Sequence, residues 1–499
     1  MTAALHVGLV SGLVLLAFAW CLDNATAQRD GPRLVGMAVA LPLIAWVLPD
    51  LRLLFAAMLL CVPVVAGRTD RIAPVYVFAL LLLPGLDTPV TIGATKLFDF
   101  GVHDAMGLGA AAALMLYGNR ARPRVAFDLA AVGIILLLGA ALSRGTTPTH
   151  FLRVAINIVL DLGLPYYVLS RGIASMEDMG EALLWLAAGA VVLSAILLYE
   201  AAQAWPIYYP LYQHYQVPIG YFVKSRGGIL RAAGPFLEST ATAFVMAICV
   251  LALWLARDRF RSKWHHLLMF GFAVLGLLAP QSRGAWSGLF LAIILTMAHN
   301  GQYLRIIRTG VIVAGVGLAL VVAAQSSPSL SETLGLSGSS SDSAVYRETL
   351  LARGIEELHA SPVVGFALAD IMDRLEDLRQ GEGIIDFVNA YLWVALISGL
   401  AGLALFLSCY GLFVLHAVRL RRWASGDTRR LAASGFVIGA LVMSAMMLAF
   451  TAFNARPAVF VFVLFGAVAA LVAIRDRERR PRRSVAPPKI YTKWAWRRM

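Results

Sequence analysis

What most constrains this chain is the recurrence, along nearly its whole length, of apolar runs of about 15 to 25 residues separated by short polar or basic connections. A helix needs roughly 20 apolar residues to cross a bilayer, and in lipid each backbone N–H and C=O must be paired inside the protein. The chain therefore reads as an all-α polytopic membrane protein. Candidate spans fall at 3–22, 34–49, 51–66, 72–86, 105–118, 129–143, 154–170, 182–201, 237–256, 267–280, 285–299, 309–325, 388–416, 431–452 and 457–474. Several are short, so the expectation is about 13–15 transmembrane helices. Leu48-Pro49-Asp50 reads as a tight hairpin or a break within one element. The period-2 alternation of an outer-membrane barrel is missing.

With 60% hydrophobic and 14% charged residues and a mean hydropathy of +0.75, no segment is large enough to fold alone as a soluble domain. Residues 1–474 read as one integral membrane domain and 475–499 as a basic cytoplasmic tail. The N-terminal stretch imitates a secretory signal, ending in Ala25-Thr26-Ala27. It lacks a basic n-region and so reads as a first span. Cys21, Cys61, Cys249 and Cys409 all lie in or beside apolar runs, with neither disulfide nor metal-type spacing.

A net charge of +13 would suggest nucleic acid in a soluble protein. Here roughly 30 of the 42 Lys and Arg sit in one set of alternate loops and the tail, which the positive-inside rule places in the cytoplasm. The other set comprises 87–104, 144–153, 202–236, 280–284, 326–387 and 453–456 and is poor in cations. It is placed outside. The partners expected on this basis are membrane lipids, with the basic tail near anionic headgroups, and not nucleic acid.

The large external loop, 326–387, opens with a Ser/Gly-rich approach and continues into amphipathic helices. On a helical wheel Tyr346, Leu350, Leu351, Gly354, Ile355 and Leu358 fill one half. Arg347 falls inside that apolar arc. A guanidinium there snorkels to water, pairs with Asp342 or Glu348, or meets a bound anion.

External arginines are informative because that face has few. Arg231 lies in RAAGPF just before a span, Arg283 in the short turn PQSRG, Arg347 on the amphipathic helix, and Arg456 in the turn FNARP. Each alone reads as an interfacial anchor. Several facing one cavity would bind a diphosphate through bidentate forks that stay charged when desolvated. Candidate bases are Asp386, Glu238, His359, His150 and His103; Asp386 and Glu238 also read as helix N-terminal acids, and His359 as a C-terminal cap.

In order along the chain, RAAGPF (231–236), SRGAW (282–286), Arg347 followed by GIEELHASPVVGF, and VNAYLWVALISGLAGL (388–403) resemble the O-antigen ligase and Wzy-type polysaccharide polymerase superfamily over roughly residues 200–475. The resemblance implies a GT-C-like membrane glycosyltransferase of the bacterial inner membrane. Its donor would be an oligosaccharide on undecaprenyl pyrophosphate, used on the periplasmic face without a metal or other cofactor, and other polysaccharide-assembly proteins would be candidate partners. By the matching motifs Arg231, Arg283 and Arg347 would hold the diphosphate; Asn389, Arg456 and Tyr346 are further candidates for a supporting role. The family pattern often ends the large loop in His-Asn. Here Val388-Asn389 stands there, which moves the expected base to Asp386 or Glu238. His299-Asn300 resembles that pair but falls on the cytoplasmic side. The run GEGIIDFVNAYL resembles exopolysaccharide-type members, so polymerisation of lipid-linked repeats is the favoured activity. Transfer to lipid A core by a ligase is the alternative. A polysaccharide transporter or flippase is the third reading, and calls for mid-span charges; Asp161 is the clearest and looks isolated.

Overall fold

Fourteen of the fifteen apolar windows lie almost wholly on helix, and 72–86 is helical only to Ala79, in the computed structural model, which describes residues 2–93, 95–117, 123–219, 224–226, 228–325, 340–379, 385–453 and 455–479. The protein is an all-α polytopic membrane bundle. Among the described residues nine helices are long and apolar enough to cross a membrane, or up to ten with one bent pair. The expected 13–15 is higher because it counted short elements. α5 (Val102–Tyr117) and α12 (Lys263–Leu278) have only 16 residues each, and α4 (Ile72–Ala79) has 8.

Caps explain the early breaks. Asp23 accepts from Thr26 N (3.0 Å) and separates α1 (Thr2–Cys21) from α2 (Asn24–Val47). Asp50 accepts from Arg52 N (2.6 Å) and starts α3 (Leu51–Ala66), so Leu48-Pro49-Asp50 is a turn between two helices. The segment Thr69–Ala79 then bends 114° away from α3. α6 (Val125–Leu142) follows α5. α7 (Pro148–Ile158) and α8 (Leu164–Gly172) form one 25-residue span interrupted by a π-turn at Val159–Gly163. At the centre, α9 (Met176–Gln203), α11 (Ser239–Leu255) and the last helix (Ala455–Arg479) are apolar on every side and buried almost all round, as such helices must be. α13 (Arg283–His299) packs on the penultimate helix (Thr428–Leu448), and α14 (Tyr303–Ala324) extends beside α13.

The loops sort onto two faces. On one, Arg29 pairs with Asp30 (3.0 Å) and Glu181 (2.9 Å), Arg124 with Asp476 (2.6 Å), and Arg430 with Glu478 (3.1 Å). His299 joins this face, buried against Ser434 Oγ (3.1 Å). The other face gathers the cation-poor loops. The antiparallel hairpin β1 (Asp87–Ile92) and β2 (Thr95–Gly101) accepts from Arg153 at Lys96 O (2.9 Å), and Asp99 N donates to Asn157 (3.1 Å). A second hairpin, β3 (Ser225–Arg226) and β4 (Ile229–Leu230), lies beside RAAGPF. The two faces match the two loop sets read from charge.

The helix of the loop expected outside, called the external helix on that reading, runs Ser340–Ala360. Its buried stripe is narrower than the sequence implied. Leu350 and Gly354 are buried, the latter against Leu392, whereas Leu351 and Ile355 are exposed. Close approach at Gly354 pins that face to the helix Ala390–Arg419 and turns the other two out. That helix is not one regular span: Gly399 (φ 69°, ψ −177°) breaks it. Segment 362–366 fills the break. Leu400 N donates to Pro362 O (2.7 Å) and Phe366 N to Leu396 O (2.8 Å). Gly365 (φ 67°) and Gly399 sit where any Cβ would strike the opposing backbone. Arg144 closes the joint, donating to the carbonyls of Gly365 (3.1 Å), Phe366 (3.1 Å) and Ile397. Beyond the break, 400–419 gives about 20 residues, roughly 30 Å, one hydrocarbon thickness. The Ser/Gly-rich approach at 326–339 and the tail after 479 lie outside the described residues.

Candidate functional site

Arg231, Arg283 and Arg347 come together on the cation-poor face although they are spread over more than a hundred residues of sequence. Two stitches bring the first pair together. Arg231 Nε donates to Pro280 O (3.2 Å), and Ala232 N donates to Ala279 O (3.3 Å). The carboxylate of Glu200, at the end of α9, holds this loop from behind by accepting from Ile207 N (3.0 Å), Ala233 N (3.0 Å) and Gly234 N (2.8 Å). In RAAGPF, then, the arginine faces the recess and the residues after it are scaffold. Two non-glycine residues next to the arginine segments have left-handed backbones, Gln281 (φ 53°) and Leu237 (φ 59°), conformations that persist only where surroundings enforce them.

The third arginine arrives from the external helix. Arg347 lies in the electrostatic field of Arg283 and Asp386, and Arg231 in those of Arg226, Glu238, Arg347 and Arg283. Arg231 and Arg283 are half-buried, while the Arg347 side chain keeps solvent-exposed surface at the rim. Burial, then the like charge of Arg226, pushes the Arg231 guanidinium down to about 10, with Arg347 and Arg283 adding to the effect and Glu238 opposing it. Desolvation and Arg283 likewise lower Arg347, against the pull of Asp386. Both shifts come first from burial and then from neighbouring positive charge. Arg283 also occupies the first turn of α13, whose N-terminus is already the positive end of its dipole. A bound anion would offset both costs.

The candidate acids differ in what they are already doing. Both oxygens of Glu238 are engaged as the N-cap of α11, accepting from Thr240 N (2.8 Å) and Ala241 N (2.6 Å). Asn389 caps the helix Ala390–Arg419 in the same way, through Tyr391 N (3.0 Å) and Leu392 N (3.1 Å). Asp386 is half-buried and faces Arg347. The Tyr346 hydroxyl accepts from Asp386 N (3.1 Å) and donates to Asp386 O (3.3 Å). Of the sequence candidates, Asp386 is the carboxylate in the electrostatic field of Arg347, Tyr346 holds its backbone, and Glu238 and Asn389 are caps.

Arg456 is placed differently from the other three. It donates to His103 Nδ1, and the charged and phenolic groups around it are Tyr212, Asp161, Asp104 and Tyr76. His103 Nε2 meets Leu83 O (3.0 Å), so both ring nitrogens are committed. His150 and His359 remain on helix ends, at the start of α7 and in the last turn of the external helix.

Three residues escaped the sequence reading. Arg226 donates to Gln281 O (3.3 Å) and adds a fourth cation beside the recess; its Ser-Arg-Gly repeats the tripeptide at 282–284, the one signal that could have found it. Glu200 was legible only as a lone acid ending an apolar run. Arg144, a loop cation among few, serves the joint at Gly399. Among the described residues no group of three or more His, Cys, Asp or Glu is arranged to hold a metal ion.

No known family model matches the chain, and no curated protein matches it.

Proposed function

We propose that the arginine recess binds the diphosphate of a polyprenyl-linked oligosaccharide and that the protein polymerises such repeats on the outer face of a bacterial inner membrane. The carrying observation is the convergence of Arg231, Arg283 and Arg347 at the N-terminus of α13 with Asp386 beside them. In the reaction an acceptor sugar hydroxyl attacks the anomeric carbon of the donor. Its oxygen–carbon bond forms as the bond from that carbon to the diphosphate breaks. The hydroxyl proton passes to Asp386, and the polyprenyl pyrophosphate leaves with its charge held by guanidinium forks. Planar forks suit phosphate oxygens and can carry this charge without a metal ion. The ordered motifs that resemble polysaccharide polymerases and ligases support the same chemistry.

The test is turnover of lipid-linked repeats by the full-length protein in liposomes containing chelator, read as a ladder of glycan lengths. Wild type should give a ladder, and Arg283→Lys or Arg347→Lys should lose it by roughly 10²–10³ in rate, the typical effect of removing one transition-state donor. Wild-type ladders from both variants would refute the clamp. Deletion in cells separates the two transferases: accumulated single lipid-linked repeats mark a polymerase, and accumulated long lipid-linked chains a ligase.

A further inference from the structure

A second polar recess lies on the same face and is built on different terms. Arg456 and Asp104 sit in the first turns of the last helix and α5. Asp161 sits on the π-turn between α7 and α8. A π-turn inserts an extra residue and re-aims a side chain, and such turns recur at functional sites. Asp161 is densely surrounded by protein and yet keeps exposed surface, and its charged neighbours are Arg456, Asp87 and Asp99 from other elements. That combination describes a residue lining a recess rather than one facing lipid.

What marks the recess is a gap. Arg456 and the carboxylates of Asp161 and Asp104 share one electrostatic neighbourhood, but among the described residues no ion pair within 4.0 Å joins them. Two other enclosed pairs are closed directly, Arg29 with Asp30 at 3.0 Å and Arg171 with Asp128 at 2.8 Å. Arg456 instead spends one nitrogen on His103. His103 cannot supply the missing negative charge, since its Nε2–H goes to Leu83 O and its Nδ1 accepts from Arg456. Asp104 accepts from Gly101 N (2.8 Å), and the Asp161 carboxylate has no hydrogen-bond partner among the described residues. Asp87 stands exposed on the hairpin above them, beside Asp99.

The groups present exclude most ligands. An anion would meet three carboxylates and a cation would meet Arg456. An apolar group would leave all these charges desolvated and unmatched. A neutral ligand with adjacent hydroxyls fits, because each hydroxyl can donate to a carboxylate and accept from a guanidinium at the same time. We infer that the recess between Arg456, Asp161 and Asp104 is a carbohydrate subsite that takes a pyranose of the acceptor glycan. The acceptor role rests on the proposed transferase function; the sugar site itself does not.

The experiment is saturation-transfer NMR on the full-length protein in nanodiscs, with methyl glycosides of glucose, galactose, mannose and N-acetylglucosamine as probes. Inorganic pyrophosphate binding is measured in parallel. At least one glycoside should receive saturation, and Asp161→Asn and Arg456→Gln should weaken it roughly ten-fold, as for loss of a hydrogen bond to a charged group. Pyrophosphate binding should stay at wild-type level. Should Arg456→Gln fail to fold for want of its His103 contact, Asp161→Asn decides, since its carboxylate supports no other group. Wild-type protein that binds pyrophosphate but none of the glycosides overturns the inference, as does undiminished binding in Asp161→Asn. Asp161-dependent glycoside binding with no pyrophosphate binding would overturn the diphosphate reading and leave the sugar subsite standing.

Discussion

The Tyr346 hydroxyl grips the backbone of Asp386 on both sides, accepting from its N–H at 3.1 Å and donating to its C=O at 3.3 Å. One side chain on the external helix thereby sets where the loop returns to the membrane, and Arg347 follows directly in sequence. Cation and carboxylate are positioned by the same turn of helix.

Tyr346→Phe should leave the helix folded and release Asp386. Two hydrogen bonds of about 1 kcal/mol each are lost, so turnover should fall roughly ten-fold or more. Asp386→Asn should cost about 10²–10⁴ in rate if it is the base. Donor binding should survive both, which steady-state kinetics with a separate binding assay would show. Equal loss of binding and turnover would contradict a positioning role for Tyr346.

Glu238→Gln keeps an oxygen at the cap of α11 and should cost at most about 1 kcal/mol of stability, with little change in turnover. A loss of rate as large as that of Asp386→Asn would return the base to Glu238. Thermal melts and ladder assays on the two variants make the comparison.

Arg231 predicts a conflict between stability and function. Its guanidinium lies below its ordinary value because burial and then Arg226 disfavour its charge. A cation depressed in the folded state penalises folding wherever it is protonated. That penalty is fully present below about 10 and is relieved as pH rises from there towards the unfolded value. At neutral pH, Arg231→Gln should therefore melt no lower than wild type without anions, and should lose the upward shift that pyrophosphate gives wild type. A lower melting temperature with the pyrophosphate shift intact would contradict this.

Sidedness is checked by cysteine labelling in a background lacking the four free native cysteines. Thr88→Cys on β1 should label from outside, and exposed Ser425→Cys from the cytoplasm. Labelling of both from one side would refute the assignment by charge.

Much of the fold was legible because hydrophobic length and loop charge are local properties. The helices, the two faces and the arginines at 231, 283 and 347 follow from them. What stayed hidden depends on backbone meeting backbone across distant sequence. Nothing in SPVVGF or in Leu400-Ala401-Gly402 announces that Gly365 and Gly399 share a joint, or that Arg144, over 200 positions earlier, closes it. Glu200 reads as the end of a span until the loop at 233–234 lies upon it. Asp161 looked isolated because its neighbours come from a hairpin and from the last helix.

Gly365→Ala places a Cβ at a left-handed residue and against Leu396 O. The backbone term alone costs about 1–2 kcal/mol, and the collision adds to it, so detergent-solubilised protein should melt at distinctly lower temperature. Gly411→Ala, in the helix Ala390–Arg419 with open space around it, is the control and should melt as wild type.

That joint alters what kind of object the external segment is. Its segment 362–366 completes a helix that would otherwise be severed, much as a keystone completes an arch it is not obviously part of. A cyclic peptide that pried 362–366 away would unseat a transmembrane helix without touching an arginine.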